Sequence, residues 1–557
     1  MIHYCQSIFH APLAIYSKYI NNDAMSMFTH IKDLATGFSN KVDRNIYVGN
    51  LNLGTEEDPL SELKDLSGIF KRILHKRIDK FYPDKARVIT RFLDIADNEH
   101  LRSIIKRALD LGKEQTSAKI KEVMFEFSKR HKSTEEIFMR HYSRVAGIAE
   151  SMDASLSKEK KLLIGALFTM EYSYESTSLF NPSVVLYPKQ NNLKKGQIRV
   201  VFCFRATGEG HISSIIFRSA VIDTNNDIYL EPISRFAATP SINMDPSYEK
   251  KYLIDKLKDI GALDETAISV MDGLPEIFSY SELMKKIKSI LPSASNEAGS
   301  APTISASKMK WLVDCNYEVS FPANQLISER VIFPVSPSES NGMEDARFVR
   351  FTQDDGSFIY YATYTAYNGI SILPQILETK DFHHFKMSTL NGPFAKDKGM
   401  ALFPRKVNGK YAMISRSDGQ NLYLMYSDNI HFWYEAKKIQ EPTRPWEMVK
   451  IGNCGSPIET KEGWLLLTHG IGPMRKYCIG IELLDLNDPS KVIAKMQEPL
   501  ISPNEEERDG YVPNVVYSCG SILVRDKLII PYAASDSVSS IAVISLNELL
   551  DKLLGRR

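Results

Sequence analysis

The chain has no excess of either charge. Its 69 Lys and Arg stand against 68 Asp and Glu, a formal net charge of +1. Nucleic acids and anionic membrane surfaces are held by clustered positive charge. This balance offers none, so neither is an expected partner. Long apolar runs are also missing, and nothing approaches the ~20 residues a bilayer-spanning helix needs. The stretch Met1 to Asn22 mixes Tyr, Ser, Gln and His into its apolar positions and lacks a basic start. A secretory leader is therefore not expected, and a cytoplasmic location is. Cysteine is sparse: Cys5, Cys203, Cys315, Cys454, Cys478 and Cys519 are scattered and form no C-x-x-C pair. That argues against a disulfide scaffold and for reduced, mostly buried thiols. No further ligand stands at suitable spacing from Glu209 and His211, so no metal and no other cofactor are expected.

What is present is long and segmented. A chain of 557 residues exceeds one compact core. From about Pro59 to Tyr174 the pattern is helical. Leu60, Leu63, Leu66, Ile69, Phe70 and Ile73 recur at helical spacing, as do Ile104, Ile105, Ala108 and Leu109. Ser133-Thr134-Glu135-Glu136 reads as a helix start. Near Phe180-Asn181-Pro182 the texture changes to short β-rich runs separated by Gly, Asn, Asp and Pro turns. The boundaries expected are a segment at 1–54, a helical region at 55–176, a β domain at 177–549 and a tail at 550–557. A helical insertion at about 240–315 interrupts the β domain, and its stretch Ser293 to Pro302 reads as a flexible loop. One weak repeat favours a propeller: Asp381-Phe382-His383-His384-Phe385 and Asp428-Asn429-Ile430-His431-Phe432-Trp433 lie about one blade apart, in the ~40–50-residue range.

Three clusters could carry chemistry. In Gly342-Met343-Glu344-Asp345-Ala346-Arg347-Phe348 two acids and an Arg precede a strand-like run. Strand alternation points Glu344 and Asp345 to opposite sides. One would face a pocket, where partial desolvation favours its protonated form, while the other braces Arg347. The competing reading is a surface turn with a salt bridge. The second cluster is basic: Lys398, Arg405, Lys406, Arg416, Lys450 and His469 stand at the ends of apolar runs. Guanidinium and imidazolium donors suit anion oxygens, and solvated strand-end charge is the alternative. The third, Arg205-Ala206-Thr207-Gly208-Glu209-Gly210-His211-Ile212-Ser213-Ser214, is a polar loop between two β-rich runs. Its glycines do not open a helix, so a dinucleotide site is not supported.

Taken in order, these segments resemble glycoside hydrolase family 130, the mannoside phosphorylases and related β-mannosidases. The resemblance runs from Phe180 to Leu549. Its carriers are Phe180-Asn181-Pro182, Arg205 to Arg218, Gly342 to Phe348, Ala401-Leu402-Phe403-Pro404 through Arg416, Lys450-Ile451-Gly452, Gly463 to Gly470, Tyr477 and Val512 to Val516. It implies a mainly β fold, a five-bladed β-propeller with a central sugar site, to which the N-terminal helical region and the helical insertion are additions. It implies Asp345 as the catalytic acid, acting on the glycosidic oxygen through a hydroxyl of the bound mannose. It places Asn181, Arg205, Glu209, His211, Ser213, Glu344, Arg347, Tyr364 and Asp536 at the substrate. It places Lys398, Arg416, Lys450, His469 and Tyr477 at phosphate. The expected partners are a mannoside oligosaccharide and inorganic phosphate, and a homo-oligomer is allowed.

The chain departs from the family where Lys398-Gly399 replace an Arg-Asn pair ahead of Leu402-Phe403-Pro404. Lys keeps the charge and loses the bidentate fork. The expected activity is cleavage of β-mannosides by inverting phosphorolysis to α-mannose 1-phosphate. An inverting β-mannosidase is the alternative, with Glu209, Glu447 or Glu459 as base. A non-catalytic carbohydrate-binding propeller is the second alternative.

Overall fold

The computed structural model describes residues 74–243, 245–290 and 301–556. The helical spacing at Leu60 to Ile73, the Met1 to Asn22 stretch and most of the Ser293 to Pro302 loop lie outside the described residues. The last two positions of that loop, Ala301 and Pro302, open the helix Ala301–Asp314.

Strand pairing divides the β region into five four-stranded antiparallel blades, and the fold is a five-bladed propeller. Ser178–Leu186, Ile198–Thr207 and Ser213–Ile222 with Ile228–Leu230 make the first blade. Gly342–Thr352, Phe358–Tyr367, Ile372–Thr379 and His384–Thr389 make the second. Ala401–Leu402, Tyr411–Ser415, Leu422–Ser427 and Glu435–Gln440 make the third. The fourth runs Lys450–Asn453, Gly463–Ile471, Tyr477–Leu484 and Val492–Lys495. In the fifth, Val516–Tyr517, Lys527–Ala534 and Val538–Ser545 are completed by Leu74–Phe81 from far upstream. The repeat read from the sequence is the turn before the outermost strand of the second and third blades. Asp381 Oδ1 accepts from the amides of His383 and His384, and Asn429 Oδ1 accepts from that of His431.

Each apolar strand face is buried against the next blade, and the core is a ring of such interfaces. Phe217, Phe348, Phe382 and Phe385 pack between the first and second blades. Trp464 meets Phe403 edge-on at 5.0 Å between the third and fourth. The helix Leu546–Leu553 buries Leu549 and Leu550 on the fifth blade, so the expected tail at 550–557 begins inside an element.

The span 55–176 is not helical throughout. Leu74–Phe81 and Val88–Phe92 are strands, the latter paired with Thr169–Ser173. Tertiary pairing overrode local pattern here. Four helices do follow: Asn98–Leu109, Lys113–Phe127, Thr134–Met152 and Lys158–Leu167. The third starts where the acids predicted, but Ser133 is left-handed (φ 53°) and its side chain does not cap. Arg87 fastens this layer: it bonds the Tyr174 hydroxyl at 2.7 Å and the buried Glu175 at 2.8 Å, which also takes Arg218. The insertion is a small helical body of its own on the outer rim. Its flanking strands Ser241–Ile242 and Tyr317–Ser320 extend the second blade outward, and Lys256 bonds Asn316 and Thr389.

Phe81 joins the upstream strand to the first blade, 4.8 Å from Phe204 and 5.4 Å from Phe202. Phe81→Ala should cost ~3–5 kcal/mol of folding stability, read as a lower midpoint in urea. An unchanged midpoint would mean that this strand does not help to close the propeller.

Candidate active site

The innermost strands of the blades converge, and two of them bulge where they meet. In the second blade Glu344 pairs with Thr365 and Arg347 with Thr363, so Asp345 and Ala346 together oppose Tyr364. In the first, Phe180 pairs with Arg205 and Ser183 with Cys203, so Asn181 and Pro182 oppose Phe204. Each bulge carries a left-handed residue, Asp345 at φ 56° and Asn181 at φ 48°. Bulges re-aim side chains. Here Asn181 Nδ2 donates to Asp345 Oδ1 at 2.8 Å. The expected alternation of Glu344 and Asp345 to opposite sides therefore fails: both reach the same guanidinium. Arg205 donates to Glu344 at 2.8 Å and Asp345 at 3.3 Å, while its Nε donates to Ser213 at 2.9 Å.

Arg347 is not braced by either acid. It is buried, and donates to the Asn453 carbonyl at 3.0 Å and the Tyr517 hydroxyl at 2.5 Å. It thus ties the inner strands of the second, fourth and fifth blades. Glu344 takes Lys398 instead, at 2.5 Å. Two buried polar atoms beside Asp345 have no partner among the described residues, Asn181 Oδ1 and Arg347 Nε.

The electrostatics oppose one expectation. Burial would raise the Asp345 carboxyl, but Arg205, the Asn181 hydrogen bond, Arg347 and Lys398 outweigh it and hold it below the ordinary carboxylate range. These partners keep Asp345 ionised at neutral pH. Asp536, left-handed at φ 49° in the turn after Lys527–Ala534, behaves oppositely. Burial and the neighbouring charges of Asp345 and Glu344 push it up to about 7, against Arg205 and Arg475.

The remaining cations gather on the fourth-blade side. Arg416 donates through Nε and Nη2 to Asp397 Oδ2, at 3.1 and 3.0 Å, and its Nη1 lies 3.2 Å from His469 Nε2. His469 is buried, and its Nδ1 lies 3.1 Å from the Asn453 carbonyl, which can only accept. Burial, with Arg416, Arg347 and Lys450 nearby, holds His469 well below its usual range. It is therefore neutral, with hydrogen on Nδ1 and a bare Nε2 accepting from Arg416. An imidazolium at that position is corrected. Lys450 is lowered by burial and by Arg416, Arg475 and Lys398. Tyr477 stacks on His469 at 6.1 Å.

Tyr364 packs in the second-blade core and also lines the crevice that Asp345 and Arg347 line, its hydroxyl donating to buried Glu339 at 2.7 Å. Several expected site residues lie elsewhere. Glu209 and His211 are on the exposed rim, His211 against Tyr511 at 3.2 Å. Glu447 is fully buried and caps its own turn beside Arg444; Glu459 pairs with Arg405 on the surface. Arg405 and Lys406 are surface charges, as the bland reading had it. A cavity of about 950 Å³ in the helical layer, around Ile104, Phe127, Phe138 and Leu163, is mostly apolar and apart from these charges.

Comparison with known proteins settles the family. Residues 313–554 match a family model described as beta-1,4-mannooligosaccharide phosphorylase. The chain is 35% identical over 222 residues to a 1,2-beta-oligomannan phosphorylase of Thermoanaerobacter sp. (strain X514), covering 38% of this chain and 71% of that one. It is 36% identical over 247 residues to a beta-1,2-mannobiose phosphorylase of the same organism, covering 42% and 78%. The chain belongs to glycoside hydrolase family 130. Among solved structures, a complex of beta-1,2-mannobiose phosphorylase from Listeria innocua with beta-1,2-mannobiose is similar at 20% identity and a TM-score of 0.40, over 68% of this chain and 92% of that one. The family 130 match begins at the end of the insertion, so Asn181 and Arg205 come from the blade upstream of it.

Sequence reading missed Asp397, Asn453, Arg475 and Tyr517. Asp397 and Asn453 adjoin segments already singled out, and only the hydrogen bonds give them a task. Arg475 is exposed in a turn where Met474 and Arg475 are both left-handed, φ 57° and 54°. No local pattern announces it.

Asp536 provides a test of these electrostatics that needs no substrate. A carboxyl raised from 3.8 to about 7 by folding adds stability at acid pH and loses it as the pH rises through 7. Asp536→Asn removes that dependence. Its melting temperature relative to wild type should increase from pH 5 to pH 8. A constant difference would show that the carboxyl titrates normally.

Proposed function

We propose that this family 130 protein cleaves β-mannosides by inverting phosphorolysis, releasing α-mannose 1-phosphate. One observation carries the choice of phosphate over water: the charge balance of the site. Arg205, Arg347, Lys398, Arg416, Lys450 and Arg475 stand there among the described residues against Glu344, Asp345, Asp397 and Asp536, and Asp536 is half-protonated near neutrality. Such a field calls for an anionic co-substrate. Hydrolysis needs a carboxylate base, and Glu447 and Glu459 are engaged elsewhere while Glu209 is on the rim. The names of the relatives, oligomannan and mannobiose phosphorylases, support the same substrates.

The step balances without a cofactor. A phosphate oxygen attacks the anomeric carbon from the face opposite the leaving oxygen, forming the new C–O bond as the glycosidic bond breaks. The proton comes from Asp345 through a sugar hydroxyl. Arg205, Arg347 and Lys398 favour the ionised form of Asp345, and a bound anion counters them. Phosphate offsets the cations that depress the carboxyl, raises its affinity for a proton and arms the acid. Asn181 Oδ1 and Arg347 Nε are unspent and suit sugar hydroxyls.

The cytoplasm suits this reaction, because phosphate is at hand and the described cysteines are free thiols. Among the described residues no helix is long and apolar enough to cross a membrane.

The test is product analysis with β-1,2- and β-1,4-mannobiose, with and without inorganic phosphate. Mannose 1-phosphate should form only with phosphate, and Asp345→Asn should lower turnover by ~10²–10⁴ while disaccharide still binds. Free mannose released without phosphate would overturn phosphorolysis and make Asp536, at about 7, the base to examine.

A further inference from the structure

The three residues Asp397-Lys398-Gly399 lead into the innermost strand of the third blade, and they touch both halves of the site. Asp397 and Gly399 are left-handed, at φ 57° and 88°. The turn points consecutive side chains in different directions. Asp397 Oδ2 accepts from Nε and Nη2 of Arg416. Lys398 donates to Glu344, which Arg205 holds together with Asp345. A Cβ on Gly399 would stand 3.6 Å from Asn453 Oδ1 and 3.7 Å from Arg347 Nη2, so the backbone itself closes the gap. Asp345, Arg347, Asp397 and Gly399 line one crevice.

The donor count on Arg416 specifies what the turn does. A guanidinium has five N–H donors in a plane. Asp397 takes one on Nε and one on Nη2, and His469 takes one on Nη1. One N–H on each terminal nitrogen is left, a pair matched to two oxygens of an anion. Asp397 occupies one edge of the plane and His469 one corner. The guanidinium plane cannot turn without breaking charged hydrogen bonds.

We propose that Asp397 is the positioning residue that aims Arg416 at phosphate, and that the Asp397–Gly399 turn couples the anion half of the site to the sugar half through Lys398 and Glu344. The proposal rests on the phosphorolytic reading. It gives Lys398 a place on the sugar side, where it steadies Glu344, in place of the phosphate contact expected from the sequence.

Steady-state kinetics of phosphorolysis tests it, varying phosphate and mannobiose separately in wild type, Asp397→Asn, Asp397→Glu and Lys398→Met of equal melting temperature. Asp397→Asn should raise KM for phosphate by ~10- to 100-fold, the worth of a lost charged hydrogen bond, with a much smaller change in KM for mannobiose. Asp397→Glu, which keeps the charge, should recover part of the loss. Lys398→Met should act mainly on mannobiose. The double variant Asp397→Asn/Lys398→Met should depart from the product of the single effects by more than about twofold. Equal loss for both substrates, or an unchanged KM for phosphate in Asp397→Asn, would overturn the positioning role. Multiplicative single effects would overturn the coupling. A wild type that turns over without phosphate would instead sink the phosphorolytic reading, and this proposal with it.

Discussion

The site depends on one guanidinium held in a plane. Arg205 lies over the Phe180 ring at 4.9 Å, and its Nε is fixed on the buried Ser213 hydroxyl. Its terminal nitrogens then meet Glu344 and Asp345, which the bulge in the second blade has brought to one side. Neither acid could approach the other closely without a cation between them. The bulge and the guanidinium therefore explain each other. A backbone held left-handed at Asp345 carries strain, and fixed ion pairs are what hold it there. Lys398 extends the line from Glu344, and Asn181 from Asp345.

From that line the chemistry divides by position in the propeller. Neighbouring blades one and two supply Asp345 and the polar atoms beside it. Blades three and four supply the cations at Arg416 and Lys450, and blade five supplies Asp536. The blade interfaces are aromatic and closely packed, which fixes these distances. His469 illustrates the division of labour. It sits at the centre of the cationic side yet is neutral, because a histidine surrounded by arginines and lysines keeps its proton only at great cost. Its bare Nε2 accepts from Arg416.

Much of this was legible in the sequence. The β texture from Phe180, the blade-length repeat at Asp381 and Asp428, and the cluster at Glu344, Asp345 and Arg347 all pointed to the region where the structure gathers its charges. Three things were not legible. Leu74–Phe81 joins a blade from which it is separated by nearly the whole chain, and local pattern carries no such information. The two bulges reverse the alternation a strand would give, so Arg347 was assigned the partner that Arg205 has. Tyr364 lines the crevice beside Asp345 yet gives its hydroxyl to buried Glu339, a partner that no local pattern shows. Side-chain charge could be counted, but direction required the backbone.

Among the described residues the middle of the propeller holds more positive charge than its carboxylates balance, and we propose that this excess is kept for phosphate. Calorimetric titration of the full chain with inorganic phosphate at neutral pH tests it directly. One phosphate should bind per chain in the absence of sugar, more weakly as salt is raised, with binding lost in Arg416→Ala and kept in Asp345→Asn. No measurable binding, or binding indifferent to Arg416, would contradict it.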